Sequence, residues 1–269
     1  MELLNSKEEY FQHTIKEEVI ISGAGIHTGQ SVTMHIKPAE PNSGINFQRT
    51  DLPGKPVVKA DVDYVIETNR STTIEYNGAR VGTIEHMMAA LTGMQIDNVL
   101  VEIDGEEVPI LDGSSQLFIE HLSKAGIKKQ EAPKIYYSIH HNISFVDEEK
   151  KVEMVALPYE GYRINTLIDF NSPVLGTQHA DLRNIANFKK EIAPSRTFCF
   201  FHELELLLAN DLIKGGDINN AIVVVDKPVT KDQVERISKI FHNDEVKVSE
   251  AGILNNVTLR FPNEPARHK

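Results

Sequence analysis

The spacing of apolar residues changes several times along the chain, and each change predicts a different element. HTIKEEVIISG and SVTMHIKPAE alternate apolar and polar positions, which predicts two strands joined by the glycine-rich GAGIHTGQ. A second strand pair is predicted in DNVLVEIDGEEVPILDG, where Asp104 and Gly105 would form the turn. Further strands are predicted by YYSIHHNISFVD, KKVEMVALPY, YRINTLIDF, NNAIVVVD and GILNNVTLRF.

Helical spacing interrupts these strands in both halves of the sequence. ARVGTIEHMMAALTGM places Ile84, Met87, Met88 and Leu91 on one side of a helix, and Gly93 is a stop signal. SSQLFIEHLSKAGI predicts a second helix with Ser114 or Ser115 as its cap. FHELELLLANDLI and DQVERISKIFH predict further helices. Because helices and strands mix without strict βαβ alternation, the pattern favours an α+β fold over a doubly wound sheet.

The composition limits the classes of function. A formal net charge of −11 argues against a general nucleic-acid binder, which needs a basic face to neutralise phosphates. The single cysteine, Cys199, excludes an intrachain disulfide and fits a reducing cytoplasm. The amino terminus lacks the order of a signal peptide, and no apolar run approaches the roughly 18–20 residues of a membrane-spanning helix. We therefore expect a soluble cytoplasmic protein, for which contact with a membrane surface stays open.

The glycine-rich stretch resembles a dinucleotide-binding fingerprint only superficially. In GAGIHTG the third glycine is misplaced, and a strand pattern follows instead of the helix that would hold a pyrophosphate. A hairpin connection is the better interpretation, with His27 at its tip.

An acid and an imidazole stand side by side in the apolar helix, at Glu85 and His86. They do not form an HExxH zinc-protease motif, because Ala90 and Leu91 stand where the second histidine is needed. Adjacent helical residues point about 100° apart, so the pair alone cannot hold one ion comfortably. By itself the pair is more typical of a hydrogen-bonded structural histidine, and further ligands must come from elsewhere.

Two segments of the second half offer partners for this pair. PSRTFCFFHELE combines an arginine and a threonine with three phenylalanines before a helix, although an ordinary buried strand would carry the same letters. NEPARHK places His268 and Lys269 at the end of the sequence, where a solvated tail is the usual interpretation.

Taken together, these pieces resemble a known family. GAGIHTG, PNSGINFQR, TIEHMMAAL, IDNVLVEIDGEEVPILDGSS, LIDF, EIAPSRTF, KGGDINNAIVV and NEPARHK stand in the order found in UDP-3-O-acyl-N-acetylglucosamine deacetylases. These zinc amidohydrolases catalyse the committed step of lipid A synthesis in Gram-negative bacteria. The resemblance runs from about residue 12 to residue 269.

The resemblance implies an α+β fold with two similar domains. Each domain would have a sheet packed with paired helices, and the two helical layers would face each other with the site at their junction. The first domain would span residues 1–130 and carry Glu85 and His86, and the second would span residues 131–269. The Lys/Gln/Pro stretch near 128–134 is the corresponding candidate boundary.

The resemblance also assigns roles to individual residues. His86 and His268 match zinc ligands, and Glu85 matches the general base. Thr197 matches the hydroxyl that stabilises the oxyanion, and Lys269 matches the lysine that contacts the substrate near its phosphates and sugar. The implied cofactor is Zn²⁺, and the implied substrate is UDP-3-O-acyl-N-acetylglucosamine.

A second set of residues matches positions that contact the rest of the substrate. Phe198 and Phe200 resemble aromatics beside the sugar and acyl chain, and Phe170 resembles the aromatic that contacts the nucleotide part. The segment from about 199 to 226 resembles an insert that forms the passage for the acyl chain. Its candidate lining residues, which a plain core role would also explain, are Leu204, Leu207, Leu208 and Ala221.

Two departures from the family pattern bear on activity. The family's third zinc ligand is an aspartate four residues after the second histidine, so we expect this sequence to be C-terminally incomplete. The long stretch 228–263 resembles forms fused to a 3-hydroxyacyl-[acyl-carrier-protein] dehydratase. Two alternatives to the deacetylase therefore stay open: an inactive or binding-only fragment, and another metal amidohydrolase on the same fold.

Overall fold

The structure is a computed structural model. It describes residues 10–210, 212–217, 219–240, 252–254 and 257–269. Helices and strands mix in both halves of this part of the chain, which confirms the α+β class. Among these residues, no helix is both long and apolar enough to cross a membrane.

The first half of the chain is built on a mixed five-stranded sheet with two helices. Its strands are β1 Phe11–Ile15, β2 Val19–Ala24, β3 Ser31–Pro38, β4 Ile45–Arg49, β5 Val57–Lys59, β6 Val65–Glu67, β7 Thr73–Tyr76, β8 Ala79–Val81, β9 Val99–Ile103 and β10 Ile127–Pro133. Its helices are α1 Glu85–Gly93 and α2 Gln116–Ala125. The large sheet has the order β2-β3-β9-β4-β5, in which only β4 and β9 run parallel.

The main core lies between this sheet and the two helices. Met34, Phe47 and Val101 are fully buried on the sheet side, and Leu91 and Phe118 are fully buried on the helix side. Each such side chain contributes about 1.5–3 kcal/mol by leaving water. Helix α1 carries its buried residues on one side, as its apolar spacing predicts, and it ends at Gly93 as predicted.

The second half consists of smaller sheets and shorter helices. Its strands are β11 Ile143–Asp147, β12 Val152–Ala156, β13 Ile164–Asp169, β14 Thr177–Leu182, β15 Phe198–Phe200, β16 Ile222–Val225 and β17 Gly252–Ile253. Its helices are α3 Phe188–Glu191, α4 Leu204–Ala209, α5 Lys231–Ile240 and α6 Glu264–His268. Strands β11 and β12 pair, β13 and β14 pair, and β15-β16-β17 form a three-stranded sheet.

The predicted strand after Asp104-Gly105 is wrong. Residues 106–110 form no strand and make only an isolated bridge between Gly82 and Glu107. The segment instead forms single backbone hydrogen bonds with two different parts of the chain. The Val108 amide donates to the Gly82 carbonyl, and the Ile110 amide donates to the Ala24 carbonyl. Between those two amides, position 109 is a proline, which has no amide proton for a ladder.

Other predicted elements are shorter than their patterns indicate. The first strand pattern is divided into β1 and β2, and the helix of FHELELLLANDLI is confined to α4 after a 3-10 turn at Phe201–Glu203. The predicted division at residue 130 falls inside β10, which pairs antiparallel with β1. The duplication of the two halves stays a prediction.

Candidate functional site

A cavity of about 490 Å³ brings the two halves of the chain together. From the first half it receives the glycine-rich turn after β2, the loop before β7 and the beginning of α1. From the second half it receives β15, α4, β16 and the end of α6. Glu85, His86, Thr197, His268 and Lys269 all line it, so residues distant in sequence share one space.

Glu85 is the first residue of α1, and its carboxylate is held at the cavity wall. The amide of Thr72 donates a hydrogen bond to Oε2 of Glu85 at 3.0 Å. Burial raises the pKa of Glu85 above its ordinary value, and the hydrogen bond from Thr72 acts in the opposite direction. A carboxylate with a raised pKa is a stronger base than an exposed one, which suits proton transfer near neutral pH.

The rings of His86 and His268 stack in the cavity, with centroids 5.5 Å apart and planes inclined by 28°. Burial lowers the pKa of His86 to about 4. The pKa of His268 is lowered to about 3, mainly by burial and to a lesser extent by the nearby His86. Both imidazoles are therefore neutral at physiological pH, which is the form that binds a metal ion.

This donor set fits the imidazole part of a zinc site. Two neutral histidines line the same cavity as the carboxylate of Glu85, and neutral histidine is a usual ligand of catalytic zinc. Within the described part of the chain, no group of three histidine, cysteine, aspartate or glutamate side chains comes together as a complete ligand set.

Helix α6 is anchored by a buried ion pair at its beginning. The Glu264 side chain is fully buried, and it accepts hydrogen bonds from Nε of Arg196 at 2.9 Å and from the Arg260 amide at 2.6 Å. Arg196 directly precedes Thr197, so the pair joins the strand segment to the helix that carries His268. The pair therefore positions two cavity residues of the second half, Thr197 and His268.

Thr197 makes a backbone hydrogen bond between the two halves. Its amide donates to the Gly113 carbonyl at 2.7 Å, and its carbonyl accepts from the Ile222 amide at 2.8 Å. A Cβ at Gly113 would collide with the carbonyl oxygen of Asn220, and Gly113 has a φ of +77°. Glycine is therefore required at this crossing.

The three predicted phenylalanines form one aromatic cluster. Phe170 makes edge contacts with Phe198 and Phe200, at centroid distances of 5.7 and 5.6 Å. Phe198 also stands edge-on to the ring of His268, at 6.2 Å. Nζ of Lys269 lies 5.6 Å from the Phe198 centroid, and burial lowers the pKa of this lysine. The cluster thus lies between the histidine pair, the ammonium group of Lys269 and the exposed ring of Phe170.

Part of the cavity lining is an apolar wall. Leu204, Leu207 and Ala221 form it, together with Ile26 and Val223. Leu208 does not line the cavity itself, but it packs against the apolar cluster that contains Leu204 and Leu207. Its role in an acyl passage stays a prediction.

Glu107 is a buried residue that the sequence did not single out. Its carboxylate accepts from the amides of His27 and Thr28 at 2.9 and 2.8 Å, and from the Thr28 and Thr83 hydroxyls at 2.8 Å each. A Cβ at Gly25 would overlap this carboxylate. Glu107 therefore fixes the glycine-rich turn beside α1 and brings His27 to the cavity. The available signal was an acidic residue directly before the apolar stretch 108–111.

Comparison with known proteins gives consistent matches over most of the chain. A family model described as "LpxC: UDP-3-O-acyl N-acetylglycosamine deacetylase" matches residues 12–241. The chain is 44% identical to a bifunctional enzyme LpxC/FabZ of Chlorobaculum tepidum, covering 96% of this chain and 56% of that protein. It is 41% identical to a UDP-3-O-acyl-N-acetylglucosamine deacetylase of Myxococcus xanthus, covering 97% of this chain and 75% of that protein. The chain thus spans little more than half of its bifunctional relative.

Proposed function

The chain belongs to the LpxC family of UDP-3-O-acyl N-acetylglycosamine deacetylases, and on that premise we propose that it deacetylates UDP-3-O-acyl-N-acetylglucosamine. The reaction hydrolyses the 2-acetamido group and releases acetate and the free amine. It is the committed step of lipid A synthesis, and we place it in the cytoplasm of a Gram-negative bacterium. The observation that carries the proposal is the cavity that joins Glu85, two neutral histidines and an apolar wall.

His86 and His268 would hold zinc, with their burial keeping both rings unprotonated. The chemistry that a bound zinc supplies is Lewis acidity, which makes water easier to deprotonate and polarises the amide carbonyl. Orientation comes from the chain: Oγ of Ser115 donates to the His86 carbonyl at 3.0 Å, and His268 has a hydrogen bond with the Ser195 backbone.

The remaining steps use side chains that line the cavity, together with Phe170 and Phe200 of the aromatic cluster next to it. Glu85 accepts the proton of the attacking water, since its buried carboxylate has a raised pKa. The Thr197 hydroxyl donates a hydrogen bond to the oxyanion that develops on the amide carbonyl. Lys269 binds the phosphates and sugar, and Phe198, Phe200 and Phe170 contact the sugar, acyl chain and nucleotide. The acyl chain follows the wall formed by Leu204, Leu207 and Ala221.

The test is acetate release from UDP-3-O-acyl-N-acetylglucosamine by the zinc-supplemented protein. We expect Glu85→Ala to retain zinc and to lower kcat by about 10²–10⁴-fold, because the proton acceptor is removed. Glu120→Ala, an exposed carboxylate on α2, serves as the matched control and should keep wild-type turnover. Wild-type turnover by Glu85→Ala would eliminate this residue as the base.

The same assay separates the two alternatives. Equal hydrolysis of simple acetamido sugars would indicate a different metal amidohydrolase. Binding of the nucleotide lipid without acetate release, at saturating zinc, would indicate a binding-only protein.

A further inference from the structure

An ion pair between Arg70, which lines the cavity, and Glu203 joins the two halves of the chain beside it. The Arg70 guanidinium donates to both carboxylate oxygens of Glu203, from Nη2 to Oε1 at 2.6 Å and from Nη1 to Oε2 at 3.4 Å. Such a two-pronged contact restricts orientation as well as distance. Neither residue belongs to the acid–base or histidine set described above.

On the first-half side, Arg70 belongs to the loop that holds Glu85. Thr72, two residues later, donates its amide to the Glu85 carboxylate at 3.0 Å, and both residues line the cavity. Arg70 itself has a φ of +65°, a left-handed conformation that is costly for a residue with a Cβ. The loop is therefore held in a strained form next to the candidate base.

On the second-half side, Glu203 ends the 3-10 turn that leads directly into α4. Its Oε2 also accepts the Phe200 amide at 3.2 Å, so the same carboxylate restrains the aromatic strand β15. Leu204 and Leu207, on the following helix, form part of the apolar wall. The position of this wall relative to Glu85 thus depends on where Glu203 is held.

The electrostatics favour a persistent pair. The hydrogen bond with Glu203 raises the pKa of Arg70. Burial alone would raise the pKa of Glu203, but hydrogen bonds from Arg70 and the Phe200 amide outweigh it, and the pKa is lowered. Both groups are therefore charged at physiological pH.

The chain that follows α4 also contacts the first half, in this case through backbone hydrogen bonds. The amides of Lys214 and Gly215 donate to the carbonyls of His27 and Ile26, at 3.2 and 3.0 Å. Backbone hydrogen bonds thus hold the wall at one end, and the side-chain pair Arg70–Glu203 holds it at the other.

We propose that Arg70, through Glu203, is a positioning residue that determines acyl-chain specificity by setting the distance between the apolar wall and Glu85. This inference rests on the proposed deacetylase function. Without Arg70, α4 is free to shift, and a long acyl chain loses its alignment with the amide at Glu85. A short acyl chain makes few contacts with α4 and loses little.

The test compares kcat/KM for UDP-N-acetylglucosamine substrates that carry a 3-O-tetradecanoyl or a 3-O-butanoyl chain. The ratio of the two values does not depend on the fraction of active protein, so a partly unfolded variant does not mimic the effect. We expect Arg70→Ala and Glu203→Gln to lower the long-to-short ratio about fivefold or more, through loss of the paired contact. Arg70→Lys should lie between these variants and wild type, since lysine lacks the planar fork.

Arg80→Ala is the matched control, because it breaks an exposed 2.9 Å pair with Glu67 that lies wholly within the first half. It should leave the ratio unchanged. An active wild-type protein whose Arg70→Ala and Glu203→Gln variants keep the ratio within twofold would overturn the inference. Absence of acetate release by wild-type protein would instead refute the proposed function.

Discussion

At the scale of single residues, the site depends on polar groups buried with specific partners. Glu85 and His86 are neighbours in sequence, yet one is bound by the Thr72 amide and the other stacks on His268. Glu107 shows the same principle without any proposed chemical step, because it accepts hydrogen bonds from two separate segments, the glycine-rich turn and the residues just before α1. Buried carboxylates of this kind stabilise only when their partners are in place.

Replacing Glu107 tests how strongly this carboxylate holds the glycine-rich turn. We expect Glu107→Ala to lower the free energy of unfolding by about 3 kcal/mol, since it leaves several buried donors without an acceptor. Urea denaturation followed by circular dichroism measures the change. Glu106→Ala, the exposed neighbour, should stay within about 0.5 kcal/mol of wild type. Equal losses for both variants would contradict the anchoring role.

At the scale of elements, short structures are placed by contacts at their ends. Helix α1 ends at Gly93, where a Cβ would collide with the ring of Phe188 on α3, so the glycine allows close packing. Ser115, one of the two predicted candidates, is the N-cap of α2, and the hydroxyl of the preceding Ser114 accepts the Gln116 amide at 3.2 Å. Helix α6 is only one turn long, and the buried carboxylate of Glu264 compensates for its small packing area.

Helix α6 should therefore be sensitive to the charge of Glu264. We expect Glu264→Gln to lower the free energy of unfolding by about 3 kcal/mol, since Arg196 would be left beside a neutral partner. Zinc content should fall as well, because His268 lies on the same helix. Glu235→Gln, on the exposed side of α5, controls for loss of a charge elsewhere. Unchanged stability together with full zinc content would show that α6 is held by other contacts.

At the scale of the whole molecule, the candidate site is an interface between the two halves. His86 lies on α1 of the first half and His268 on α6 of the second, so an ion held by both rings would link them. The second half also exposes large apolar side chains on its small sheets, including Phe145, Met154 and Leu167. A bound ion between the halves should thus affect global stability more than local order.

Zinc should raise the melting temperature of the protein. A ligand that binds only the folded state adds about 4 kcal/mol at a free concentration of about 1,000 times Kd. We expect a corresponding rise in Tm on adding zinc and its reversal by a chelator, measured by calorimetry. The rise should vanish in His86→Ala and persist in His35→Ala, whose imidazole lies at the surface beside Glu18. A full rise in His86→Ala would mean that zinc binds elsewhere.

Much of the local structure could be predicted from spacing alone. The hairpin of β2 and β3, helix α1 and its end at Gly93, and helix α2 all follow apolar periodicity and simple stop signals. The segment 106–110 could not be predicted in this way, because its alternation is that of a strand while its backbone is satisfied by Gly82 and Ala24. The pairing of the site residues, by contrast, came from a family resemblance.

The sequence by itself thus determined the fold class, the principal elements of the first half and the residue types that the chemistry needs. Tertiary structure alone decided that His86 meets His268, that Glu107 holds the glycine-rich turn, and that Arg70 reaches Glu203. The physical reason is range. Periodicity reflects neighbours within one turn or strand, whereas these contacts join residues that only the folded path of the chain brings together.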